Sequence, residues 1–594
     1  MRRLVLLRTA FCLLFATVFV PMEVAAQEVT QSLYYTRIYD FIDELATDRI
    51  ISVKSVVKPY SRAFIAGCLA EAASKDSLLD RRQKADLEFF MNDYAAELDT
   101  LPKAYVHWSN KKSFDLSLIQ PQFMYQSKNF KMYVRPILGM DISYNRKGLL
   151  MTRRWGAEIQ MDIVDHVSVW GSLRDNSYTG SYLNDEYFPS DYDKMLGARV
   201  QAPSYLNNLP GAAYKEANYG ADFSDFRGGV KAYAWWGSIG LVKDNLRWGD
   251  TYNSSNILSD KAPSFPMITL NLKPCKWFEF NYIHGWMVSN VVDSSYWYVE
   301  ETHDVDESKR HYRPMNKFIA ANMFTFTPIR GLDLSFGNSI VYAERNVQAL
   351  YFIPFAFFKS LDHLATKGLG TENQNSQVFI NLSSRNIKHL HLYASFMIDE
   401  FSFSRLKSDN PEHNIISYKA GFNVSNWPLK NLSAGFEYTR NGILTQKHSI
   451  QAITFTSSSY WLGHYLGDNS QEFYAYLQYK PVRGLDIKLS YTKAQKGKDY
   501  DYVRENVREI ISQTALDELT FENDIVSLKA VYEIWNNCYA MLNLEYNNAR
   551  GYDLQSEVIV GENRLDSQGY LDKFAPKYYQ GENWTVSVGL SIGF

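Results

Sequence analysis

From about residue 103 onward, apolar and polar residues alternate with a period of two. In Leu485-Asp486-Ile487-Lys488-Leu489-Ser490-Tyr491 every odd position is apolar and every even one polar. Leu332, Leu334 and Phe336 alternate with Asp333, Ser335 and Gly337, and Leu542, Leu544 and Tyr546 with Asn543, Glu545 and Asn547. Such alternation predicts strands with one apolar and one polar face. In a water-soluble sandwich the apolar face would be the core; in a membrane barrel it meets lipid and the polar face lines the lumen. Turn signals decide between them. Short polar turns stand at Lys273-Pro274-Cys275-Lys276, Thr327-Pro328-Ile329-Arg330-Gly331, Ser383-Ser384-Arg385-Asn386, Ser425-Asn426-Trp427-Pro428, Lys480-Pro481-Val482-Arg483-Gly484 and Trp535-Asn536-Asn537. They recur roughly every 40 to 60 residues, with two strands and one long loop between them. Short turns at one end and long loops at the other are the outer-membrane pattern. About 490 residues at roughly 50 per unit predict an antiparallel all-β transmembrane barrel of about 18 strands, an even number between 18 and 20.

The last strand is the sharpest case. Trp584, Val586, Val588, Leu590, Ile592 and Phe594 fall on one face, Thr585, Ser587, Gly589, Ser591 and Gly593 on the other. As a soluble terminus this would be an aggregation-prone edge. A final lipid-facing strand ending in an aromatic resembles the signal read by barrel-assembly machinery.

Residues 28–100 follow another rhythm. Ile38, Phe41, Ile42 and Leu45 recur at helical spacing, Ser61 is placed to cap a helix carrying Phe64, Ile65 and Leu69, and Leu87, Phe90, Met91, Tyr94 and Leu98 mark a third. This small helical bundle would be marginal alone and is expected to dock on the periplasmic mouth of the barrel. Before it, Met1-Arg2-Arg3, an apolar run to Val20 and Val24-Ala25-Ala26 read as a secretory signal peptide cleaved after Ala26. A membrane anchor is the weaker alternative, because Arg8 interrupts a run already short for a span of about 20 residues. The expected division is therefore signal peptide 1–26, periplasmic helical bundle 27–102 and barrel 103–594.

Composition agrees with a barrel: 15% of the chain is aromatic, with 42 Tyr and 35 Phe, and aromatic girdles at both membrane interfaces need them. A net charge of −3 leaves no basic excess for nucleic acid. Of the four cysteines, Cys68, Cys275 and Cys538 remain after the expected cleavage, an odd, scattered set that is neither a disulfide framework nor a zinc site. The signatures His-Glu-x-x-His, Gly-x-Ser-x-Gly and the phosphate loop are absent from the sequence. His389 and His391 read better as lumen-lining residues than as metal ligands, and Asp304-Val305-Asp306-Glu307 as a solvated loop rather than a calcium site. No catalytic residue, cofactor or metal is expected. The apolar stretch Tyr351–Phe358, like the helical bundle, is expected to occlude the lumen, which weighs against a porin.

Two segments carry more information. One runs from Ser238 through Leu246-Arg247-Trp248-Gly249-Asp250 and Ile257-Leu258-Ser259 to Ala262-Pro263-Ser264-Phe265-Pro266; the other is Tyr460-Trp461-Leu462-Gly463-His464-Tyr465-Leu466-Gly467-Asp468. In these segments, and in Leu45–Ile51 followed by Pro59-Tyr60-Ser61, the chain resembles the capsule assembly Wzi family. Only Trp248 stands where family members often carry a second Trp, and long insertions at 177–227 and 497–523 set this chain apart. The resemblance implies an outer-membrane barrel that tethers capsular or other surface polysaccharide without catalysis, its partners being that polymer, outer-membrane lipid and the assembly machinery. An outer-membrane porin or glycan transporter is the alternative. Candidate polymer-binding residues are Arg247, Trp248, Trp461 and His464, with Tyr178, Tyr182, Tyr187 and Tyr192 of a tyrosine-rich loop. Aromatic rings offer large contact area at low entropy cost. The plainer alternatives are a lumen salt bridge for Arg247, a packed strand end for Trp248 and an upper girdle for the tyrosines.

Overall fold

The computed structural model describes residues 28–593 apart from 101–106, 112–113, 118–121, 128, 165, 181–198, 201–212, 218–219, 300–309, 370–373, 408–409 and 458–459. Eighteen antiparallel strands close into a barrel. In chain order they are β1 (Phe130–Asn145), β2 (Gly148–Ile163), β3 (Val167–Gly180), β4 (Gly220–Ala234), β5 (Gly237–Asp244), β6 (Phe265–Cys275), β7 (Phe278–Val299), β8 (Arg310–Ile329) and β9 (Leu332–Tyr342). They continue as β10 (Asn375–Ser384), β11 (Leu390–Glu400), β12 (Ile415–Ser425), β13 (Leu432–Asn441), β14 (Ser470–Tyr479), β15 (Leu485–Gly497), β16 (Leu519–Trp535), β17 (Cys538–Gly551) and β18 (Gly581–Ile592). Closure is made by β18 against β1, from Val586 opposite Tyr144 to Ile592 opposite Leu138. Below that seam the short strand Gln122–Gln126 pairs with the lower part of β1, Phe123 facing Val134.

The alternation seen in the sequence sorts the two faces as a membrane barrel requires. On β18, Trp584, Val586, Val588 and Leu590 are exposed on the outer wall, while Thr585 is buried inside. Phe594 lies outside the described residues. The turns between β2 and β3 and at 235–236, 276–277, 330–331, 385–389, 426–431, 480–484 and 536–537 share one mouth.

Three helices sit at that short-turn mouth: α1 (Thr36–Thr47), α2 (Arg62–Ala73) and α3 (Arg81–Asp93). Local sequence explains their starts. Ser61 accepts a hydrogen bond from the Phe64 N–H, and Asp80 and Gln83 form a reciprocal capping box. Ile38, Phe41, Ile42, Leu45, Ile65, Leu69, Phe90 and Tyr94 make one buried cluster that also takes in Tyr539 of β17. Polar contacts fasten the helices to the turns. Arg37 pairs with Glu533 at 2.5 Å, Lys480 with Glu44 at 2.9 Å, and the His389 N–H donates to the Thr47 carbonyl at 2.9 Å. Arg82 pairs with both Glu44 and Asp86.

Two long connections turn inward. Residues 245–264, between β5 and β6, and residues 442–457 and 460–469, between β13 and β14, fold into the lumen. Trp248, Ile257, Leu258, Phe455 and Leu462 pack there against Met323, Val341, Phe379 and Met397 of the wall. The lumen beside β6 to β14 is thereby filled. On the opposite side Lys529 and Ser527 stay half-buried.

The stretch Tyr351–Phe358 does not occlude the lumen. It lies on the outer wall, over the residues of β7, β8 and β9 whose parity points away from the lumen: Phe280, Tyr282, Phe318, Ala320, Ile340 and Tyr342. The lumen positions between them, such as Ile319, Ala321, Met323 and Val341, belong to the inner cluster with Trp248.

Candidate functional site

Two short pairings place the first inward loop. Trp248 stands opposite Val57 and Arg247 opposite Lys58, so the loop adds to a strand reaching up from the helices. The Trp248 N–H donates to the Leu258 carbonyl at 2.9 Å, and the Gly249 N–H to the Val56 carbonyl at 2.8 Å. Gly249 has φ +98°, and a Cβ there would meet Ser255 Oγ at 2.7 Å. A glycine after Arg-Trp is therefore required by the turn itself.

The second loop meets the first. The Ser259 N–H donates to the Leu462 carbonyl at 2.6 Å, and Ser259 Oγ donates to the Gly463 carbonyl at 2.6 Å. Leu258-Ser259 and Leu462-Gly463, two motifs read separately from the sequence, are thus one joint. Asp468 accepts from the Gln446 N–H at 2.7 Å and the Lys447 N–H at 3.2 Å and ties the loop's two ends together. Gly467, with φ +68°, lies under the Trp461 ring, where a Cβ would sit 2.5 Å from Cε2.

A continuous polar network crosses the lumen through Tyr252. Its hydroxyl donates to Asp43 of α1 and lies 3.0 Å from His391 Nδ1. Its backbone N–H donates to Glu437 at 2.6 Å. Glu437 also takes Lys419 at 2.8 Å and the Tyr393 hydroxyl at 2.6 Å. Asn253 reaches Glu472 at 2.9 Å, and Glu472 holds His464 at 3.3 Å. Arg385 bonds Asp43 at 2.5 Å, and Asn381 bonds Asp250 at 2.8 Å. Burial alone would raise the Asp43 carboxyl, but Arg385 and then His391 beside it bring it down to about 2. Burial likewise opposes ionisation of Asp260, and Arg247 overcomes it and lowers the carboxyl.

Between the helices and the first loop is a cavity of about 180 Å³, lined by Asp40, Asp43, Lys58, Arg247, Tyr252 and Lys488 among others. Ligand pockets usually measure about 300–1,000 Å³. With acids and bases interleaved, this cavity suits water around charged side chains, not a polymer.

The residues singled out in sequence divide accordingly. Arg247 pairs with Asp260 and lines that cavity, as a lumen salt bridge does. Trp248 and His464 are both buried, Trp248 among the apolar residues that fill the lumen and His464 against Glu472. Trp461 is half-buried. Tyr178 lies near the long-loop end of β3, opposite Thr152 and Ala221. Tyr182, Tyr187 and Tyr192 lie outside the described residues. His389 and His391 diverge, His389 to Asp48 at 2.8 Å and His391 into the lumen network. Tyr252, Asp43, Arg385 and Glu437, the centre of the network, went unread, because each partner stands far from the others in sequence.

Strand number, closure and self-filled lumen define an outer-membrane β-barrel occupied by its own loops. The family model for Capsule assembly protein Wzi matches residues 212–553, and the chain belongs to that family. The fold is similar to that of an outer-membrane protein involved in group 1 capsule assembly in Escherichia coli, described as a carbohydrate-binding β-barrel, with 12% identity over 96% of this chain and 100% of that one and a TM-score of 0.53. It is also similar to OpdQ of Pseudomonas aeruginosa, with 8% identity over 78% of this chain and 98% of that one and a TM-score of 0.39. No curated protein matches in sequence.

Proposed function

We propose that this protein holds a capsular or other surface polysaccharide at the outer face of the outer membrane and carries out no reaction on it. In this reading the short-turn mouth with its helices faces the periplasm and the long loops face outward. One observation carries the reading: the two loops with the family-like motifs are spent on filling the lumen and on holding each other. A polymer is then left the long-loop surface, not a conduit. The E. coli barrel described as carbohydrate-binding supports the ligand class.

Contact is assigned to Tyr178 near the end of β3, to Tyr182, Tyr187 and Tyr192 in the tyrosine-rich stretch that follows it, and to half-buried Trp461. Each well-placed ring contributes roughly 1 kcal/mol, so single losses weaken binding several-fold and multiple losses abolish it. The test is retention of surface polymer in cells carrying the four tyrosines and Trp461 as alanines, with binding of that polymer to the purified protein. Release of polymer into the medium from a folded variant is expected. Retained polymer in a folded variant would overturn the reading in favour of a porin.

A further inference from the structure

The outer wall over β7 to β9 breaks the apolar pattern. Asn322 stands opposite Tyr282 and Asn338, and His284 opposite Ala320, all at wall positions that elsewhere on the barrel carry exposed Phe336, Leu382, Leu392 or Val588. In lipid, bare amides and an imidazole would each lose their hydrogen bonds to water without replacement. Here they are buried instead, beneath residues 348–358 of the β9–β10 connection.

Their partners are the backbone of that connection. Asn322 donates to the Pro354 and Ala356 carbonyls, each at 2.9 Å. Asn338 Oδ1 accepts from the Phe358 N–H at 2.8 Å, and its Nδ2 donates to the Ala356 carbonyl at 3.3 Å. The Tyr282 hydroxyl donates to the Tyr351 carbonyl at 2.8 Å, and the Gln348 N–H donates to the Tyr342 hydroxyl at 3.3 Å. His284 lies between the Tyr282 and Tyr342 hydroxyls and stacks on Phe352 at 4.2 Å. Every polar group of the wall patch named here is engaged with the segment or with its neighbours.

The segment's other side is apolar. Phe352, Ile353, Phe355, Phe357 and, nearly two turns into the following helix, Leu364 are exposed, Phe355 with 55% of its surface. Phe355 stacks on Phe280 at 4.4 Å and reaches Phe324, which faces Phe336, four residues above the short-turn end of β9. With a rise of about 3.3 Å per residue and a tilt near 40°, that is about 10 Å up an apolar band roughly 25 Å tall.

We infer that residues 348–358 form a lipid-embedded flap: non-strand backbone lying in the hydrocarbon, with the Tyr351, Pro354 and Ala356 carbonyls and the Gln348 and Phe358 N–H groups paired by Tyr282, Asn322, Asn338 and Tyr342 of the wall, and its aromatic face in contact with acyl chains. Irregular backbone at membrane depth is costly because unpaired N–H and C=O groups find no water there, and the five backbone groups paired by this wall patch lower that cost. The occupant of the outward face is lipid because the face continues the barrel's own lipid-contacting band. The flap is independent of polymer binding.

The test places an environment-sensitive NBD label on Phe355→Cys or Phe357→Cys in the full chain with Cys275→Ser, reconstituted in phospholipid vesicles. Leu78→Cys on the helical domain serves as an aqueous reference. Flap labels are expected to emit at shorter wavelength than the reference, to be roughly halved by nitroxides on the acyl chains and to be insensitive to iodide. Asn322→Leu, which keeps the wall apolar and removes the seat, is expected to reverse both responses while the barrel still runs as a folded band. Quenching of the native flap by iodide would put it in water and overturn the inference. Quenching by neither reagent would mean that protein covers it, a second copy included, and would overturn it equally.

Discussion

At the scale of single residues, Asp43 shows how a buried charge ties the helices to the lumen. It receives Arg385 at 2.5 Å and the Tyr252 hydroxyl, which in turn reaches His391. Its folded-state pKa of about 2 lies below the ordinary 3.8, so folding favours the ionised form. The contribution, about 2 kcal/mol, is fully present above roughly pH 4 and lost as pH falls through about 2. Asp43→Asn is expected to melt earlier than the parent at pH 7 and to lose that difference below pH 2, followed by heat-modifiable gel mobility. Equal melting at pH 7 would show that the carboxylate contributes nothing. The residue scale is also where the sequence was least legible. Nothing local marks Asp43, Tyr252, Arg385 and Glu437 as one network, since their positions range from 43 to 437 and meet only when the barrel closes. Trp248 and His464 stood out for the opposite reason: compact motifs attract notice, whether they touch a ligand or hold a loop.

At the scale of elements, legibility followed periodicity. Strands were readable because a wall with lipid on one side and lumen on the other imposes strict alternation, as in Leu485–Tyr491. The helices were readable from Ser61 and the stripe of Ile38, Phe41, Ile42 and Leu45. Which way a long connection folds was not, because an apolar run such as Tyr351–Phe358 suits a lumen or an outer wall equally well. The deciding signal was present in the strands beneath it: Asn338 follows Leu332, Leu334 and Phe336 on the apolar stripe of β9, and Asn322 precedes Phe324 on that of β8. A polar side chain on a lipid-facing stripe needs a cover. The docking of α3 offers a direct check at this scale. Arg82 is buried and serves Glu44 and Asp86, while Lys480 serves Glu44 from the β14–β15 turn. Burial would raise the Glu44 carboxyl, and Lys480 and then Arg82 hold it well below the usual carboxylate range. Arg82→Ala leaves two buried acids short of a partner, a loss of about 3–5 kcal/mol. Limited proteolysis is expected to cut the 36–93 region faster in this variant while the folded barrel band persists. Unchanged protection would mean that the apolar cluster alone holds the helices.

At the scale of the whole molecule, the lumen is divided. Beside β6 to β14 it is filled by residues 245–264 and by 442–457 and 460–469, which lock together at Ser259 and Gly463. Beside β16 to β2 the inward side chains, among them Lys529 and the Asp141–Arg154 pair, keep partial exposure, and the helices lie below them across the short-turn mouth. Occlusion therefore depends on two layers that fail separately. In planar bilayers the intact protein is expected to give no steady porin-like conductance. Arg82→Ala combined with Lys480→Ala, by loosening the helices, is expected to produce brief openings whose ion selectivity responds to Lys529→Glu, since the exposed half of the lumen would carry the current. Replacing residues 250–262 with a short flexible link removes the other layer and is expected to enlarge those openings with less dependence on Lys529. A large, steady conductance in the unaltered protein, sensitive to Lys529→Glu, would show that the loops and helices leave a working channel. It would shift the functional reading from polymer attachment to transport.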